Sequence, residues 1–238
     1  MPDEISGLSR SVEDYLKAIY CLSPGGEAVA TTAIADAMDV QPASVTGMVK
    51  RLAEASLVVH APYRGVQLTA SGIREALRVL RRHRILEIYL TERLGYSWED
   101  VHMEAERLEH AASDTLIHRM DDALGNPTHD PHGAPIPTAE GEIEPTDSLT
   151  LAELAVGVEA QIRAVRDDDS GGLRAMEAAG LLPGTRVRIV RRARTRGILE
   201  AQVGSGEEDP TEIDVEVAGR VYVVPLPGTP PSQEDRRE

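Results

Sequence analysis

TTAIADAMDVQPASVTGMVKRLAEASLVVHAPYRGVQLT, residues 31–69, decides the fold of the first part of the chain. Ile34, Ala37 and Met38 recur at helical spacing behind Thr31 or Thr32, either of which can cap a short helix. Asp39-Val40-Gln41-Pro42 breaks that helix, because proline lacks an N–H and steers the preceding residue away from the α region. Val45, Met48, Val49 and Leu52 then mark one face of a second helix. Two short helices joined by about four turn residues form a helix-turn-helix pattern. The segment VVHAPYRGVQLT (58–69) has β-prone ends around Pro62-Tyr63-Arg64-Gly65 and reads as a hairpin, or wing.

Upstream, Val12, Tyr15, Leu16, Ile19 and Tyr20 share a helical face. Downstream, a helix is expected from near Thr69 past His83 to about Arg93. Another is expected from a cap at Ser97, with Asp100 completing a capping box, to the stop at Gly125-Asn126-Pro127. Residues 148–226 are rich in Val, Gly and Arg and read as mostly β. The expected organisation is therefore mainly α with a small β domain. It runs as a winged helix-turn-helix over 1–72, a helical domain over 73–140, a linker over 141–147, a β domain over 148–227 and a polar, Pro-rich disordered tail over 228–238.

The bulk numbers narrow the function classes. A net charge of −15 over 238 residues argues against coating nucleic acid by charge alone, yet leaves room for a small basic patch and suits cation binding. Aromatics at 3%, with no Phe, argue against base-stacking readers of single strands. The lone Cys21 excludes a disulfide framework or a Cys-based zinc site within one chain. MPDEISGLSR lacks a leader pattern and no run of about 18 apolar residues occurs, so the cytoplasm is the expected compartment and no membrane partner is expected.

On the helix after Pro42, burying Val45, Val49 and Leu52 leaves Ser44, Thr46, Gly47, Lys50 and Arg51 on the opposite face. Small polar residues at the start of such a helix can approach base edges, and Lys50 and Arg51 suit phosphates. Thr32, Pro42 and Ala43 flank this surface, and Arg64 at the wing tip can reach phosphate or the minor groove. The plainer reading is a helical hairpin with ordinary solvated residues, and winged helices also serve as protein-docking modules.

The strongest chemistry lies in VHMEAERLEHAASD (101–114). His102, Glu106, Glu109 and His110 fall at i, i+4, i+7 and i+8, roughly one face of a helix. His83 and Glu87 form another i, i+4 pair on the preceding helix. Imidazole plus carboxylate without thiol suits Mn(II), Fe(II), Co(II) or Zn(II). A solvated helix face is the bland alternative, with Arg107 lying among the donors. Asp14 reads first as the partner of Ser11 in a capping box.

VEDYLKAIY (12–20), IADAMDVQPASVTGMVKRL (34–52), RGVQLTASG (64–72), RRHRILEIYL (81–90) and EAERLEHAASD (104–114) together resemble the diphtheria toxin repressor and manganese transport regulator family. HDPHGAPIP (129–137) resembles that family's linker, and LLPGTRVRIV (181–190) its small SH3-like C-terminal β-barrel. The resemblance implies a homodimer on double-stranded operator DNA, with 73–140 as the metal-binding and dimerisation domain. It implies two metal sites per subunit: a primary one at Asp14, Glu106, Glu109 and His110, and an ancillary one at His83, Glu87 and His102, completed by Asp169. Iron-responsive members carry Met and Cys where this chain has Asp14 and Glu106. The harder donors point to Mn(II), with Fe(II) as the alternative. Shorter manganese regulators carry Glu where this chain has Lys17, so a separated pair of sites is expected rather than a compact two-metal cluster. The expected function is a metal-gated repressor of metal-uptake genes, without a small organic substrate. A di-metal helical enzyme is the competing class, but no nucleophile motif or phosphate-cradling loop accompanies the ligands. A metal-binding docking protein that never touches DNA is the third.

Overall fold

The computed structural model describes residues 8–23, 25–61, 65–145, 149–166, 170–193, 197–204 and 209–227. Arg64, Asp169 and the expected tail lie outside the described residues. The chain divides into two compact units. The first takes the residues up to Leu86, Ala105–Pro127 and Ile136–Glu144; the second takes Glu87–Glu104, Thr128–Pro135 and the residues from Pro145 onward. Both units thus draw on the helical segment 73–140.

In the first unit, α1 (Arg10–Leu22) buries Val12, Tyr15, Leu16 and Ile19, the face that its periodicity marks. They pack with Ile34 of α2 (Thr31–Ala37) and with Val45, Val49 and Leu52 of α3 (Pro42–Glu54) in one aliphatic core. Ala30, rather than Thr31 or Thr32, holds the cap position of α2. Asp39 turns the chain at φ 50°, a left-handed conformation that a short polar side chain tolerates, and Pro42 opens α3 where a missing N–H costs nothing. The wing is an antiparallel pair, β1 (Val58–Ala61) with β2 (Gly65–Leu68), in the register Val58↔Leu68 and Ala61↔Gly65. Gly65 has φ +96°, and a Cβ there would lie 2.5 Å from the Val29 carbonyl oxygen, so glycine lets Val29 bridge to Val66 beside the hairpin.

α4 (Ala70–Leu94) follows as expected, whereas the single helix expected from Ser97 to Gly125 is two. α5 (Val101–Leu108) ends, the chain turns through residues 109–113, and α6 (Asp114–Leu124) begins. The physical reason is Ser113, whose side chain accepts the Leu116 N–H and starts a new helix. Glu109 and His110 therefore sit in a turn rather than further along one helical face. Ser11 lies inside α1, whose cap position is Ser9, so the expected Ser11–Asp14 capping box does not form.

The second unit holds β3 (Glu159–Val165), α7 (Ser170–Ala178), β4 (Arg186–Ala193), β5 (Ile198–Val203), β6 (Thr211–Asp214), α8 (Val215–Ala218) and β7 (Val221–Pro225). Its strands form one antiparallel sheet in the order β6-β5-β4-β3-β7, and among the described residues β6 and β7 do not pair. Alternate residues of β3 and β4 are buried, placing Ile162, Val187 and Ile189 on Leu151, Leu154, Leu173 and Met176, while Arg186 and Arg188 face out. Trp98, from the segment between α4 and α5, packs against this core.

Candidate metal centre and recognition helix

In the first unit, α1 brings Glu13, Asp14 and Lys17 to the turn that carries Glu109 and His110. The Glu109 N–H still bonds to the Ala105 carbonyl at 2.9 Å, so that residue closes the last turn of α5 and its carboxylate is fully buried. One ligand atom each from Asp14, Glu109 and His110 lie within 4.8 Å of one another. His110 donates from Nδ1 to Glu13 Oε2 at 2.7 Å, and its Nε2 faces Asp14 Oδ1 at 2.7 Å and Glu109 Oε1 at 3.2 Å. That nitrogen is buried. Glu13 is itself buried and lies 3.6 Å from Arg82 Nη1, while Arg82 donates to Asp114 Oδ1 through Nη2 at 2.8 Å.

Glu109 is the hub. It accepts from His83 Nδ1 at 2.6 Å and from Lys17 Nζ at 2.8 and 3.0 Å, and Lys17 also reaches Glu106 at 2.6 Å. Burial alone would raise the Glu109 pKa, but bonds from His110 and His83 and the Lys17 charge hold it well below the usual carboxylate range. Burial raises the Asp14 carboxyl above its ordinary value, although the His110 charge works against the rise. Burial would lower His110, yet its bonds to Glu109 and Glu13 carry it up to about 9. The pocket thus favours positive charge at Nε2, a proton or a cation.

The second unit contains another group, of which sequence reasoning named Glu87 but not Asp130 or His132. Glu87 of α4, Asp130 and His132 are all buried, with ligand atoms within 4.8 Å of one another. His132 Nε2 donates to the Trp98 carbonyl at 3.0 Å, so in the neutral ring Nδ1 presents a lone pair toward Glu87 Oε2, 4.0 Å away. Two acceptors facing each other in a buried site suit a cation between them. Asp130 Oδ1 accepts the His132 and Ala134 N–H groups, each at 2.9 Å, which fixes the carboxylate. The loop is pinned to β3 by the Val165 N–H on the His132 carbonyl at 2.9 Å. Gly133 has φ +85° and packs so closely that a Cβ would lie 2.0 Å from the Arg163 carbonyl oxygen. His102 donates to Glu87 Oε1 at 3.2 Å.

Of the residues expected at the ancillary site, His83 bonds Glu109 in the first unit, and Glu87 and His102 bond each other in the second. The donors in both clusters are oxygen and imidazole nitrogen without sulfur. In each, one histidine nitrogen is fixed by a carboxylate or carbonyl, the usual outer support of a metal-bound imidazole. A divalent cation fits both. The available signals were the Glu13-Asp14 pair on α1 and the close approach of Asp130 and His132 around Gly133.

On α3, Pro42, Ala43, Ser44, Thr46, Gly47, Lys50 and Arg51 are exposed, as is Thr32 on α2. Thr46 donates to the Pro42 carbonyl at 3.1 Å, and Lys50 lies 4.0 Å from Glu54. A Cβ at Gly47 would meet nothing within 4 Å, so nothing in the chain's own packing asks for glycine there.

Residues 7–66 match the model of the iron-dependent repressor N-terminal DNA-binding domain, and residues 69–138 that of the metal-binding and dimerisation domain. The chain is 31% identical over 191 residues to the iron-dependent repressor IdeR of Mycobacterium tuberculosis, covering 75% of this chain and 83% of that protein. The chain belongs to the iron-dependent repressor family. Members are metal-dependent DNA-binding transcriptional regulators, not enzymes. Residues 149–225 match the FeoA domain. The diphtheria toxin repressor of Corynebacterium glutamicum is 31% identical, covering 76% of this chain and 83% of that one. A solved manganese-dependent transcriptional repressor in complex with manganese superposes with a TM-score of 0.84 at 35% identity, covering 90% of this chain and all of that one. Among the described residues no helix is long and apolar enough to cross a membrane.

Proposed function

We propose that this family member is a manganese(II)-responsive repressor, with iron(II) as the competing ion, that binds double-stranded operator DNA as a homodimer and controls metal-uptake genes. The observation that carries the reading is the meeting of Asp14, on the first helix of the winged domain, with Glu109 and His110 in the turn after α5. A bound divalent ion would supply positive charge and a fixed coordination geometry. Asp14 contributes a donor from the DNA-binding side, while Glu109 and His110 contribute theirs from the dimerisation segment. Glu13 holds the Nδ1 proton of His110 and so aims Nε2 at the site. The second cluster, Glu87, Asp130 and His132 with His102 beside it, is the ancillary position. The hard donors support manganese over softer ions.

On the DNA side, Ser44, Thr46 and Gly47 let α3 approach base edges while Lys50 and Arg51 meet phosphates. Thr32, Pro42 and Ala43 flank that surface. Metal and operator are coupled, so each tightens the other by the same factor. The test is fluorescence anisotropy on DNA upstream of the protein's own or a transporter gene, in chelator and then with Mn(II), anaerobic Fe(II) and Zn(II). Affinity at least tenfold higher with Mn(II) supports the reading, and affinity indifferent to every ion rejects it. Full metal loading without any DNA binding would favour a docking protein.

A further inference from the structure

Arg82 of α4 has 3% of its side chain exposed and pairs with two carboxylates, neither of them a donor to the proposed ion. Its Nη1 lies 3.6 Å from Glu13 Oε1 on α1. Its Nε and Nη2 donate to Asp114 Oδ1, at the start of α6, at 3.1 and 2.8 Å. Desolvation offsets most of the attraction in a buried ion pair, so net stability is a weak reason for one and an imposed geometry a better one.

Both carboxylates bear on His110. Glu13 uses its other oxygen, Oε2, to accept the His110 Nδ1 proton at 2.7 Å. Asp114 follows the cap Ser113 and so fixes the far end of the 109–113 turn that carries His110. The near end is fixed by the Glu109 N–H on the Ala105 carbonyl. One guanidinium thus reaches the imidazole twice, through its ring and through its backbone. A lysine cannot do both, because an ammonium is a point charge rather than a planar fork. Tying α6 to α4 does not by itself call for Arg82, since Arg78 donates to Asp114 Oδ2.

We propose that Arg82 is a positioning residue of the first cluster, setting the direction of His110 Nε2 through Glu13 on one side and the 109–113 turn on the other without touching the ion. The proposal rests on the metal-binding reading given above.

The test compares the full chain, stripped with chelator, as wild type, Arg82→Gln, Arg82→Lys, Glu13→Gln and the Arg82→Gln/Glu13→Gln pair. Without metal, nitrogen-15 NMR of the imidazoles should show the His110 Nδ1 proton, assigned by its loss in His110→Ala, as a downfield and slowly exchanging signal in the wild type. Arg82→Gln should lose that signal. In Mn(II) calorimetry Arg82→Gln should bind its first-cluster ion roughly tenfold more weakly, with the second cluster's ion held as in the wild type, and Arg82→Lys should recover only part of the loss. The paired variant should lose less than the product of the two single losses, because the two residues act on the same imidazole. Wild-type affinity in Arg82→Gln overturns the proposal, as does a full product in the paired variant. An equal fall at both clusters marks a merely structural arginine and also overturns it. If Arg82→Gln fails to fold by circular dichroism, Arg82→Lys decides alone, and its wild-type affinity with an unchanged His110 signal overturns the proposal. Mn(II) bound by none of the chains would instead remove the metal reading itself, and the proposal with it.

Discussion

Asp14, Glu109 and His110 meet because two helical pieces pass each other, whereas Asp130 and His132 meet Glu87 because a backbone loop is fastened to a strand. In the first cluster the donors belong to α1 and the turn after α5, and other side chains hold two of them: Glu13 holds His110, and His83 and Lys17 hold Glu109. In the second, main-chain groups do most of the holding, through the Trp98 carbonyl and the His132 and Ala134 N–H groups. Side-chain support can rearrange when a cation arrives; backbone support is set when the unit folds. The first cluster therefore suits a sensor whose charge state changes, and the second a preformed seat.

The largest effect expected from this contrast is at the first cluster. His110→Ala should abolish metal-dependent DNA affinity, a loss of at least about 100-fold in anisotropy titrations, because no backbone group can replace the imidazole. Retained metal dependence would break the contrast at its root. Next, His132→Ala or Asp130→Ala should remove one bound Mn(II) per chain by calorimetry while leaving the ion at the first cluster in place. Loss of both ions together would show that the clusters are not separable. Glu13→Gln keeps the shape but weakens the support of His110, and Mn(II) affinity at the first cluster should fall by roughly 10- to 100-fold. The smallest effect belongs to Trp98→Phe. It deletes the Nε1–H bond to the Pro131 carbonyl at 3.0 Å and should cost about 1 kcal/mol of stability in a denaturant titration, with the first cluster's affinity unchanged.

The same contrast explains what the sequence discloses. The winged helix is legible because each of its elements carries its own periodicity, and because Pro42 and Gly65 punctuate it where the chain turns. The His102–His110 donors are visible as helix spacing, although the spacing does not reveal that Glu109 and His110 leave the helix. Nothing between Ser97 and Leu124 except Ser113 signals the break, and one serine is a weak signal among residues that otherwise favour helix. Asp130 and His132 have no period at all, since a loop places them by backbone bonds to residues far along the chain. Lys17 is visible as an oddity; only its contacts with Glu106 and Glu109 give it a charge to balance.

Gly133 against the Arg163 carbonyl has a consequence during synthesis. The donors of the first cluster are complete once residue 110 has left the ribosome, whereas the loop with Asp130 and His132 finds its backing only after β3, some thirty residues later, has been made and paired. A nascent or prematurely ended chain can thus acquire the sensing group before the seat. Messages truncated before the sheet would carry the donors of the first cluster without the backing of the second.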